Sequence, residues 1–179
     1  MTNTINNLET QIKITFENLI KIYSESSKLL LDASALLDKE GFYCPHGNTL
    51  GTNQSKNINN PADWITPYGA RYFISDDHPK VLLGISIIFI GPRNHPVEPL
   101  VVFGKFEMKE EIKSNYEYYY LRHCWYHLCD SQELNKIHEI AASPDWYFKS
   151  VKLIGKKLME IENLDSIKKI IIDPLVDLL

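Results

Sequence analysis

Between Tyr116 and Cys129 the chain reads Tyr-Glu-Tyr-Tyr-Tyr-Leu-Arg-His-Cys-Trp-Tyr-His-Leu-Cys, a run denser in stacking, ligating and titrating side chains than any other stretch of the sequence. Two chemistries compete for it. The first is metal binding: zinc takes about four nitrogen or sulfur donors in a tetrahedron, and the candidates are His127 and Cys129 together with Cys44 and His46 far upstream. On a strand, His123 and His127 stand ~13 Å apart and cannot share one ion. A zinc site then needs the Cys44-x-His46 pair folded over His127 and Cys129. On a helix the two histidines share a face as an i, i+4 pair, but Cys124 stands where the H-E-x-x-H motif requires its glutamate. Burial as plain thiols and hydrogen-bonded imidazoles is the stronger expectation, because free cysteine is among the most buried residue types.

The second chemistry is recognition. On a strand, alternation puts Tyr116, Tyr118, Tyr120, Arg122 and Tyr126 on one face and Tyr119, Leu121 and Trp125 on the other. The face with Leu121 and Trp125 suits a core. The tyrosine and arginine face suits a protein or small-molecule partner, since exposed Tyr and Arg are enriched at the energetic centres of interfaces. Trp64 and Tyr68 would fall near its rim.

Other motifs are incomplete. Gly47-Asn48-Thr49-Leu50-Gly51-Thr52 offers amides and hydroxyls to an anion, yet it lacks the G-x-x-x-x-G-K-[ST] arrangement and reads first as turn chemistry. Glu107-Met108-Lys109 resembles the E-x-K half of a restriction-endonuclease-like site, a likeness of three residues whose acidic partner would have to be Asp76 or Asp77. The chain has no G-x-S-x-G elbow and no G-x-G-x-x-G fingerprint. No catalytic constellation stands out.

The elements that would position these residues are legible in outline. From Ile5 to about Asp38 apolar residues recur at helical spacing, without Gly or Pro before Gly41, which is placed to end the helix. Such a helix is longer than a domain of this size needs, so it should either break near Ser24 to Ser27 or pack part of its length on another subunit. Residues 41–68 form a polar loop, with Asn60-Pro61 opening a short helix toward Ile65. Ala70–Ser75, Val81–Ile90 and Leu100–Met108 read as strands joined by short turns, hence antiparallel. The Tyr116 segment is the fourth strand, Ser131–Ala142 a short helix, and Trp146–Leu158 a fifth strand with Tyr147, Lys149 and Val151 alternating against Phe148 and Ser150. Asp165–Leu179 reads as a closing helix that Pro174 should kink.

This order predicts one α+β domain of 179 residues, an antiparallel sheet of about five strands covered by a long N-terminal helix and a C-terminal helix. A net charge of −4 disfavours nucleic acid as a partner. The apolar run Val81–Gly91 is far short of the ~20 residues of a membrane span, and the opening residues lack a signal pattern. A cytoplasmic chain with reduced thiols is expected. Composition and motifs together point to a non-enzymatic binding or regulatory module working through the aromatic face; a separate reading is a self-associating structural protein that depends on the N-terminal helix. The alternative is a small metal-dependent hydrolase built on the Cys and His residues.

Overall fold

A computed structural model describes residues 2–52, 64–91, 96–112, 128 and 134–179. The chain opens with α1 (Thr2–Lys39), continues through β1 (Tyr68–Phe73), β2 (Val81–Ile90), β3 (Pro96–Met108), β4 (Ile137–Ala141) and β5 (Phe148–Lys157), and closes with α2 (Leu164–Ile167) and α3 (Asp173–Val176). The described strands make one antiparallel sheet in the order β1-β2-β3-β5-β4. This is the mixed α+β architecture that the pattern of elements implies. No helix among the described residues is long and apolar enough to cross a membrane.

α1 stops where the sequence says it should. Gly41 adopts φ +81°, the left-handed conformation that glycine enters without strain. Phe42 N–H then donates to Leu37 O and Gly41 N–H to Asp38 O, the two bonds of a Schellman turn, with Phe42 and Leu37 both buried. At the other end of the chain Asn163 and Ser166 form a capping box that starts α2. Lys168–Ile172 is π-helical and leads into α3. Pro174 has no N–H for the carbonyl of Ile170, and the turn before it widens so that Asp173 N–H bonds Lys168 O. The expected kink is thus a widening.

The central strands are buried on both faces. Leu83, Ile85 and Ile87 of β2, with Val101 and Phe103 of β3, pack beneath α1 and the C-terminal helix. Leu82, Ile88, Val102, Phe106 and Leu153 face the opposite way, in a second cluster that includes Leu128. β2 therefore reads as a nearly unbroken apolar run rather than an alternating one.

Three expectations fail here. The helix expected over Ser131–Ala142 is overturned in its described part: Ile137–Ala141 is β4, an edge strand paired along β5. Its alternation of exposed Ile137, Glu139 and Ala141 with half-buried His138 and Ile140 marks a strand with one wet face. β3 pairs with β5, so the strands do not follow chain order, and the Tyr116 segment that was expected beside β3 lies outside the described residues. Val151 does not alternate against Phe148; both are buried in the second cluster. A bulge explains it: Phe148 opposes Met108 while Val151 opposes Phe106, so β5 carries one extra residue there. The bounds of β1, β3 and β5 also differ from expectation by two to four residues, as strand ends do.

Two positions in the sheet test this packing. A Cβ added at Gly104 would collide with the Lys152 carbonyl and with Leu153 on β5, where the two backbones approach closely. Ser86, fully buried between Ala70 and Val102, leaves its hydroxyl without a hydrogen bond. In urea unfolding, Gly104→Ala is expected to lower stability by about 3 kcal/mol or more, whereas Ser86→Ala should be neutral or raise it by about 1 kcal/mol.

Candidate functional site

The longest element supplies the most exposed apolar surface. α1 has 38 residues, which spans about 57 Å. Its inner third is held by the domain, with Leu29, Leu30, Ala33 and Leu37 in the helix-side core. Tyr23 ties the helix to the sheet further out. Its hydroxyl donates to Thr66 O at 3.2 Å, and its ring meets Phe89 edge-on at 5.4 Å. Burial at this junction pushes the phenol pKa up, against the opposing pull of its bonds to Thr66.

The helix does not break at Ser24–Ser27. Ser24 turns its hydroxyl back to Ile20 O at 2.8 Å and Ser26 is buried, so serines that could have opened the helix sit within it. Among the described side chains beyond Tyr23, residues 7–22, only Leu19 is partly covered. Leu8, Phe16 and Ile20 are 62%, 60% and 64% exposed, and Ile12 and Ile22 are 50% and 47% exposed. Residues 8, 12, 15, 19 and 22 continue in 4-3 steps to Ser26, Leu29, Ala33 and Leu36. One apolar seam thus begins against the sheet and runs out into solvent.

Beside that seam lies a groove of about 830 Å³ between α1 and the chain after β5. Ile22 and Leu29 form one wall, and Leu158, Met159, Ile161 and Leu164 form the other. Met159 and Leu164 are exposed. Lys21, Glu25, Lys28 and Asp32 stand along the α1 side with both signs interspersed.

Searched against protein-family models, curated proteins and solved structures, the chain matches none.

Of the residues singled out from sequence, Tyr116, Tyr118, Tyr120, Arg122, Tyr126, His127 and Cys129 lie outside the described residues. Trp64 is exposed, while Tyr68 is buried in the second cluster. Cys44 and His46 do come together, lining a cavity of about 200 Å³ against β1. Among the described residues no group of three or more His, Cys, Asp or Glu is set to hold a metal. Glu107 pairs with Lys149 at 3.7 Å while Lys109 donates to Pro144 O at 2.6 Å, so this E-x-K turns to two different neighbours. The groove residues Met159 and Leu164 carried no signal in the sequence, although the helical spacing of Leu8, Ile12, Phe16 and Leu19 did.

Because the Tyr23 hydroxyl ties α1 to Thr66, Tyr23→Phe is expected to cost about 1 kcal/mol in chemical denaturation. Amides of residues 8–22 should also exchange faster in the dilute variant than those of residues 29–37, read by hydrogen exchange.

Proposed function

We propose that the protein is a non-enzymatic binding module whose partner is a protein, and that the partner docked along the outer half of α1 is a second copy of the same chain. The observation that carries this reading is the exposed seam: the helix presents Leu8, Ile12 and Ile22 to water while the same stripe is buried further along at Leu29 and Ala33. Contiguous apolar patches of that kind on a monomer mark interaction sites.

A copy fits better than an unrelated partner because the molecule carries both halves of the contact. In an antiparallel arrangement the segment from Leu8 to Leu19 of one helix lies along Thr15 to Ser26 of the other, so that its start reaches the groove at Ile22, and the two-fold axis returns the same contact. Ile12 then layers on Ile22 of the second copy, and Leu19 on Thr15. Positions flanking the seam are Gln11, Phe16, Asn18 and Tyr23, while Lys13 and Glu17 stand on the outer side. A parallel pair would leave both grooves unfilled.

Sedimentation equilibrium of the full chain tests this. The expected result is a mass that rises with concentration from 20.7 kDa toward twice that value. Ile12→Asp should weaken association at least about tenfold, since it places a charge in the desolvated seam, and should leave helix content unchanged by circular dichroism. A mass fixed at one copy across the accessible range, or a dimer indifferent to Ile12→Asp, would sink the proposal.

A further inference from the structure

Away from α1, the loop after Gly41 lies along the open edge of β1. Tyr43 and Ile74 exchange backbone bonds at 2.9 Å, as do Gly51 and Ala70, so the loop is pinned at both ends and bows away between them. The cavity of about 200 Å³ sits in that bow, lined by Cys44, His46, Thr49 and Leu50 on one side and by Ala70, Arg71 and Tyr72 on the other. Arg71 is the unusual member. Only 6% of it is exposed, a rare burial for a permanently charged side chain.

Its bonds do not account for that charge. One terminal nitrogen donates to Gly47 O at 2.7 Å, but a carbonyl carries no net charge. The Nε–H is buried and finds no acceptor. Among the described residues no carboxylate pairs with it. A buried cation with an idle donor is costly unless a counter-charge reaches it. The expected counter-charge is absent from the protein's own described side chains.

We infer that the cavity between the Cys44–Gly51 loop and β1 binds a short-chain monocarboxylate, whose carboxylate oxygens accept from the Arg71 guanidinium. Three features set the class. One cation is neutralised by one negative charge, whereas a phosphate dianion would remain in excess. A guanidinium offers parallel N–H groups that match the two oxygens of a carboxylate. The remaining walls include Leu50, Ala70 and Tyr72, which suit a few methylene groups. With water occupying about 30 Å³, the space admits a molecule of only several heavy atoms.

The wild-type protein, labelled with ¹⁵N, decides this by following the Arg71 Nε–H resonance during titration with sodium propionate at constant ionic strength. A saturable shift, absent when sodium chloride or phosphate replaces propionate, is the expected result. Propionate should also raise the thermal midpoint, and Arg71→Gln should weaken that response about ten- to a hundredfold, the range for a lost hydrogen bond to a charged group. No saturable shift, or the same shift with chloride, overturns the site. Phosphate binding as tightly as propionate overturns the carboxylate class. If Arg71→Gln fails to fold, the resonance titration on the unaltered chain still decides between these results.

Discussion

The structure depends on burying β2 and β3 on both faces. An antiparallel sheet ordinarily leaves one face wet, with polar residues alternating along each strand. Here Leu82, Leu83, Ile85, Ile87 and Ile88 all leave water within a single strand. At about 25 cal/mol per Å² of apolar surface, those side chains would be a heavy exposed liability on either side. Two covers are therefore required. α1 and the C-terminal helix supply one, and the second cluster around Phe106, Phe148 and Leu153 includes Leu128 and is flanked by Trp146 and Ile112. Where α1 must lie is fixed by this demand, but how far it extends is not.

The edges of the sheet follow a different logic. A bare edge strand offers unpaired backbone groups to any other chain. β4 limits that risk by being five residues long. β1 is shielded by the loop that leaves α1 through the Gly41 turn and bridges it at Tyr43 and Gly51. Covering the edge also covers Arg71. An arginine that would stand in water on an open edge becomes a buried cation because the loop passes over it, and the proposed anion site is a product of edge protection.

That origin also explains what the sequence reveals. The Schellman turn at Gly41, the apolar run of β2 and the buried side of the last helix, with Ile167, Ile171 and Leu175, all rest on local spacing, and local spacing can be read. The bulge at Phe148 cannot, because it is set by the register against Met108 and Glu107 on another strand. Nor can β4, where Ile-His-Glu-Ile-Ala is neutral between helix and strand until β5 offers its free edge. Arg71 sits in a strand-like run and looks like a solvated residue. Only the loop from residues far upstream turns it inward.

The outer half of α1 poses the question of why it stays helical without packing. Helix formation is limited by the first turn, after which each added residue is close to neutral. The inner third, fixed against the sheet from Leu29 to Leu37, supplies that nucleus. Glu9, Lys13, Glu17, Lys21 and Glu25 then follow at four-residue steps of alternating sign, each such contact adding about 0.2–0.5 kcal/mol; Lys13 and Glu17 approach to 3.8 Å. No Gly or Pro interrupts the run. The seam is accordingly formed before anything binds to it. A surface that is ordered in advance loses less conformational freedom on association than a segment that must fold onto its partner. A modest apolar stripe of four to five side chains can then suffice for docking, and extending the helix beyond its own domain turns the stability of the sheet into a preorganised surface.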